Sequence, residues 1–143
     1  MSEADKLARR VAEAMLAREG TGPAWALKLE DAREGYARVS MQARADMING
    51  HALVHGGMIF ALADSAFAYA CNARNENTVA QSASITFLAA AKAGDTLVAE
   101  AMELARAGRG GVYQVSVRGA GGAVIAEFMG HSRTIGGRVI EEA

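Results

Sequence analysis

Residues 3–19 set Leu7, Val11, Met15 and Leu16 at helical spacing on one face and predict an amphipathic helix. Ser2 fits its N-cap, Gly20 fits the position just past its end, and Pro23 follows closely enough to stop it. The pattern then changes period. Residues 24–31 alternate Trp25, Leu27 and Leu29 against polar neighbours or alanine, and residues 36–42 alternate Ala37, Val39 and Met41 against Arg38, Ser40 and Gln42. Two period-2 runs on either side of Glu34-Gly35 predict a β-hairpin. An irregular link covers 44–55. Residues 56–73 are alanine-rich and apolar on nearly every side, which predicts a helix buried all round. Four further strands are expected at 78–90, 95–106, 111–119 and 122–134, separated by glycine-bearing turns at 94–95, 108–111 and 119–122. The tail beyond Gly136-Gly137, residues 138–143, is short and charged and is expected to be mobile.

The order is thus α-β-β-α-β-β-β-β. One wholly apolar helix among six strands implies a curved antiparallel sheet wrapped around that helix, an α+β architecture. No repeat or linker divides residues 1–143, so one domain is expected. A single cysteine, Cys71, excludes an internal disulfide framework and a cysteine zinc cluster, and its apolar neighbours suggest a packing role. The net charge of −1 gives no nucleic-acid footprint. The N-terminus carries acids and lacks the apolar segment of a signal peptide. The longest apolar run, 58–63, falls well short of a membrane span. A cytoplasmic setting is expected.

The chemistry concentrates in residues 49–65, NGHALVHGGMIFALADS. Asp64 is the only charge on the apolar helix. Burying an unpaired carboxylate costs several kcal/mol, and alanine occupies positions 61, 63, 66 and 68 around it. It either pairs with a hidden arginine or backbone amides, or it is kept for function, since perturbed carboxylates gather at functional sites. Gly56 and Gly57 begin the helix after His55. They form either a tight turn or a place where a ligand can approach free N–H groups favoured by the helix dipole, the physics of an oxyanion site. Asp64 lies eight residues beyond Gly56, ~12 Å along an α-helix. One helix cannot bring both to a single carbonyl, whereas two antiparallel copies can. A catalytic reading therefore predicts a homodimer with two shared sites.

His55-Gly56-Gly57 followed by an apolar stretch and Asp64 resembles the hotdog-fold acyl-CoA thioesterases. The segment HGGMIFALADSAFAYACNA resembles in particular the phenylacetic-acid-degradation (PaaI) thioesterases, with FLAAAKAGDTL and HSRTIGG extending the likeness over roughly residues 35–137. The resemblance implies a hotdog fold. It also implies that the Gly56 N–H polarises a thioester carbonyl, and that Asp64 of the neighbouring subunit attacks that carbonyl or activates water. Asn49, His55, Gly57, Ser65 and Ser82 are carried over as substrate-binding positions. Ser82 matches a hydroxyl that holds the water; Asn49 and His55 match polar positions supporting the acyl pocket and the helix start. Each has a plainer alternative: Asn49 a turn residue, His55 a helix cap, Ser82 a strand hydroxyl. The resemblance further suggests a homotetramer.

No cofactor is expected, and no His, Cys or acidic cluster has metal-ligand spacing. There is no G-x-S-x-G elbow for a serine hydrolase. Phe60, Phe67, Tyr69 and Phe87 are candidates for core or pocket wall. Arg106, Arg109, Arg118 and Arg133 are suited to the phosphates of coenzyme A, or are simply solvated. The expected activity is hydrolysis of aromatic acyl-CoA thioesters such as phenylacetyl-CoA or hydroxyphenylacetyl-CoA. The alternatives are a general medium-chain acyl-CoA thioesterase and a non-catalytic acyl-CoA-binding module.

Overall fold

In a computed structural model, which describes residues 1–142, helix α1 (Glu3–Arg18) begins on Ser2, whose hydroxyl accepts from the Asp5 N–H at 3.1 Å. A single helical turn, α2 (Thr21–Ala24), precedes the hairpin of β1 (Lys28–Arg33) and β2 (Tyr36–Gln42). A long loop leads into α3 (Gly56–Cys71), followed by β3 (Thr78–Phe87), β4 (Thr96–Ala107), β5 (Gly110–Arg118) and β6 (Val124–Thr134). The six strands form one antiparallel sheet in the order β1-β2-β4-β5-β6-β3. This is the hotdog arrangement, an α+β fold with the sheet curved around α3.

Strand alternation explains the core. Val39 and Met41 of β2, Leu97 and Ala99 of β4, Val115 and Val117 of β5 and Phe128 of β6 turn inward and are buried. They meet Ile59, Leu62, Ala63, Ala66, Phe67 and Ala70 of α3. Phe67 packs between Tyr113 and Phe128, at centroid distances of 5.5 and 5.7 Å. The sheet comes this close to the helix because β6 carries Gly130, where an ideal Cβ would lie 2.8 Å from the Phe67 ring.

Beyond the C-terminal end of α3, Arg74 forms a paired ionic contact with Glu103 of β4 at 2.7 and 3.1 Å, and the Tyr113 hydroxyl donates to the same carboxylate at 2.8 Å. Burial alone would raise the Glu103 carboxyl. The Arg74 and Tyr113 donors outweigh it and hold it below its ordinary value. Cys71 is buried among apolar groups, and that burial pushes its thiol up to about 12, as befits a packing residue.

Three local expectations are revised. The first strand starts at Lys28, because 21–26 coil instead: Ala24 and Trp25 N–H groups bond back to Gly20 and Thr21, and Pro23 sits in a first turn where its missing N–H costs nothing. Gly20 follows the C-cap Glu19 of α1, as expected, and at φ −78° it is also the N-cap of α2. The tail is pinned rather than loose. Asn75, buried and left-handed at φ 64°, exchanges two bonds with the Ile140 backbone at 2.8 and 2.9 Å, and Arg18 donates to the Val139 carbonyl at 2.7 Å. Finally, α3 is not buried all round. Gly57, Phe60, Ala61, Asp64, Ser65 and Ala68 form a stripe that the chain leaves partly open.

Gly130→Ala should cost about 1–3 kcal/mol, since the Phe67 ring is hemmed in by two other rings and cannot yield. A thermal melt of the variant checks this; an unchanged Tm would contradict the packing described.

Candidate active site

The N-terminus of α3 is built by the loop before it. Asn49 Oδ1 accepts from the N–H groups of His51 (2.9 Å) and Leu53 (3.2 Å), and the Asn49 backbone closes the same loop by bonding to the Leu53 carbonyl. Asn49 is therefore a turn residue through its carbonyl. Its amide nitrogen bonds to nothing among the described residues, and the residue also lines the cleft beside the helix start. His55 is the N-cap: its Nδ1 accepts from the Gly57 N–H at 2.8 Å, so this nitrogen carries no proton. The His55 carbonyl takes the N–H groups of Met58 and Ile59.

That accounting leaves one donor over. Among the described residues the Gly56 N–H has no acceptor, and it sits at the positive end of the α3 dipole. The cleft that Gly56 lines has a volume of about 450 Å³. Leu53, Val54, Ile59, Phe87 and the run 88–91 wall it. The apolar residues after β3 were not singled out from the sequence, where they read as a continuation of the strand. Phe87 is the one candidate aromatic brought to the cleft. Phe67 and Tyr69 are core, and Phe60 lies on the open stripe of α3, edge-on to Phe128 at 5.3 Å.

Asp64 lies two turns further along, half-buried, with neither an ion pair nor a hydrogen bond among the described residues. The hidden-arginine alternative is therefore absent among the described residues of this chain. Burial alone raises its carboxyl above the ordinary aspartate value. Ser65 is committed to its own helix, its hydroxyl donating to the Ala61 carbonyl at 2.9 Å. An ideal Cβ on Gly57 would lie 3.0 Å from His55 Nδ1, so glycine there makes room for the cap.

Ser82 stands on β3. It pairs with His131, as Ser84 pairs with Met129 and Thr86 with Glu127, on the sheet face turned away from α3; Ile85 and Phe87 face the helix. A β-bulge between Ala80 and Ser82 shifts the alternation.

Of the four arginines, Arg106 pairs with Glu76 and Glu103, and Arg118 donates to the Gly122 carbonyl. Arg109 and Arg133 come together at the β4–β5 hairpin end, where Gly110 pairs with Arg133, and neither makes an ion pair among the described residues. No group of three or more His, Cys, Asp or Glu could hold a metal among the described residues.

Residues 51–126, spanning the helix N-terminus, Asp64 and most of the sheet, match the family described as the thioesterase superfamily. The acyl-coenzyme A thioesterase PaaI of Escherichia coli strain K12 is 39% identical over 132 residues, covering 92% of this chain and 94% of that protein. A solved structure of the E. coli PaaI protein, from the phenylacetic acid degradation operon, superposes with a TM-score of 0.93 at 38% identity, covering 95% of this chain and 99% of that one. A mutant of the phenylacetic acid degradation protein PaaI of Thermus thermophilus superposes with a TM-score of 0.79 at 34% identity, over 82% of this chain and all of that one. A free amide at the start of a central helix and an unpaired carboxylate two turns on thus lie within a chain that belongs to the thioesterase superfamily and is similar in sequence and structure to its PaaI members.

Proposed function

We propose that this protein is an acyl-CoA thioesterase that hydrolyses aromatic acyl-CoA esters of the phenylacetyl type, with each site shared between two copies. The observation that carries this reading is the division of labour along α3. An unsatisfied N–H at Gly56 and an uncompensated carboxylate at Asp64 stand ~12 Å apart on one helix. Sequence similarity to the E. coli acyl-coenzyme A thioesterase PaaI supports the ester class.

Pairing two α3 helices antiparallel about an axis near Phe60, midway between positions 56 and 64, sets Gly56 of one copy beside Asp64 of the other. The surface fits such a partner. The stripe of α3 that carries Asp64 is partly open, β3 is an edge strand with its outer backbone groups unpaired, and Val79, Phe87 and Leu88 stand 46%, 50% and 60% exposed along it. The outer sheet face, with Met102 exposed, offers a second contact through which two dimers would form a tetramer. No described helix is long and apolar enough to cross a membrane.

In this arrangement the thioester carbonyl oxygen accepts from the Gly56 N–H, and negative charge developing on it is stabilised by that donor and by the helix dipole. Asp64 of the other copy, ionised, either attacks the carbonyl carbon or takes a proton from an attacking water. Where Asp64 activates water, the carbon–sulfur bond of the resulting adduct breaks, the sulfur leaves as the coenzyme A thiol with the proton Asp64 took up, and the free acid is released. Where Asp64 attacks, the same bond breaks to give an acyl–Asp64 anhydride and the thiolate. Water then hydrolyses the anhydride, which restores Asp64, releases the free acid and supplies the proton of the thiol.

Asp64→Ala should lower turnover by about 10²–10⁴-fold, the usual contribution of a placed base, while the variant remains folded. Thiol release from phenylacetyl-, hydroxyphenylacetyl-, benzoyl- and hexanoyl-CoA tests this. Binding of these esters without thiol release from the wild type would instead favour an acyl-CoA-binding module. A stable monomer in light scattering would contradict the shared site.

Because burial raises the Asp64 carboxyl, kcat/KM should fall on acidification at a pH above the ordinary aspartate value. The same shift predicts a sign for stability. The unfolded chain ionises Asp64 more readily than the folded one, so this carboxyl destabilises the fold as pH rises through its unfolded and then its folded value. Asp64→Asn should therefore melt higher than wild type at neutral pH, and the gain should vanish below the unfolded value. An Asn variant that melts lower at neutral pH would contradict the desolvated placement.

A further inference from the structure

Phe87 is the last residue of edge strand β3, and its ring lies where a side chain on Gly56 would begin. An ideal Cβ built on Gly56 would stand 3.0 Å from Phe87 Cζ and 3.3 and 3.4 Å from the two Cε atoms. The backbone holding this ring is anchored on β6: Phe87 is in register with Ala126, and the next N–H, of Leu88, donates to the Ile125 carbonyl at 2.8 Å. The ring is half exposed and lines the same cleft as Gly56.

Two consequences follow for the free N–H. A donor beside an apolar wall has less competition from water and acts in a lower dielectric, which strengthens its bond to a developing oxyanion. A carbonyl that reaches the donor along one side of a fixed ring also has fewer orientations open to it. We propose that Phe87 is a positioning residue for the reaction: its ring, seated on the Gly56 α-carbon, shields the Gly56 N–H and sets the angle at which the thioester carbonyl meets it. A side chain at position 56 would then crowd the aromatic ring as well as the substrate. This inference rests on the proposed role of the Gly56 N–H in thioester hydrolysis.

The test is thiol release from phenylacetyl-CoA by wild type, Phe87→Leu, Phe87→Ala, Gly56→Ala and the Phe87→Ala/Gly56→Ala double variant, each checked by thermal melt and light scattering. Phe87→Ala should lower kcat by about tenfold or more, with a smaller change in KM. Phe87→Leu keeps the strand edge apolar and should fall between that variant and wild type. Gly56→Ala should cost much less in the Phe87→Ala background than in wild type, because the new methyl then enters vacated space. Folded Phe87 variants that keep the wild-type kcat would overturn the inference, as would an equal cost of Gly56→Ala in both backgrounds. If Phe87→Ala fails to fold, Phe87→Leu decides on kcat alone. A wild type that releases no thiol while Phe87 variants behave like it would remove the thioesterase reading itself, and this inference with it. Turnover lost in Asp64→Ala but kept in the Phe87 variants would remove only this inference.

Discussion

An α-helix advances about 1.5 Å per residue and cannot fold back on itself, and this limit organises the whole molecule. The two chemically loaded groups of α3, the Gly56 N–H and the Asp64 carboxylate, lie on one rigid rod at a separation no thioester carbonyl can bridge. The sheet wraps the rest of that rod yet leaves the Asp64 stripe partly open, and β3 leaves its outer edge unpaired beside it. The exposed apolar residues on that edge are the surface on which the proposed pairing of two copies rests.

Close approach is obtained repeatedly by omitting a Cβ. Phe67 sits over Gly130 in the core, the His55 ring sits against Gly57 at the cap, and Phe87 sits on Gly56 in the cleft. In each case a methyl group would meet the ring at 3.0 Å or less. The same device therefore sets the distance between sheet and helix, the cap of α3 and the shape of the cleft, so the packing of the core and the geometry of the site are not independent. At the opposite end of α3 the Arg74–Glu103–Tyr113 contacts hold the helix exit to β4 and β5.

Polar groups on α3 divide into those the chain satisfies and those it leaves. Ser65 bonds to the Ala61 carbonyl, and the Asn72 amide bonds to Ala68 and to both backbone groups of Thr78. Asp64 receives no hydrogen bond or ion pair among the described residues and carries the desolvation penalty. A carboxylate that destabilises its own fold is retained where its charge is used elsewhere, and this contrast with its satisfied neighbours is stronger support for a functional Asp64 than its burial alone.

Periodicity and turn chemistry, read residue by residue, determined the order of the main elements, the apolar central helix and the hairpin about Gly35. The rarity of a charge on such a helix was enough to single out Asp64, and glycines at its start singled out Gly56. These are local properties of the chain. Which face a residue occupies after a bulge is not local: Ser82 lies beyond a register shift visible only once β3 is paired with β6. Nor could periodicity show that residues 21–24 close a helical turn, or that Asn75 pins a tail 65 residues away. The meeting of Phe87 with Gly56 was equally hidden, because contact between residues 31 positions apart depends on how β3 runs back along α3. The sequence by itself singled out the candidate residues Gly56 and Asp64 and determined the rod they stand on. Tertiary structure alone decided which of them face the cleft, because that depends on strand register and on long-range packing.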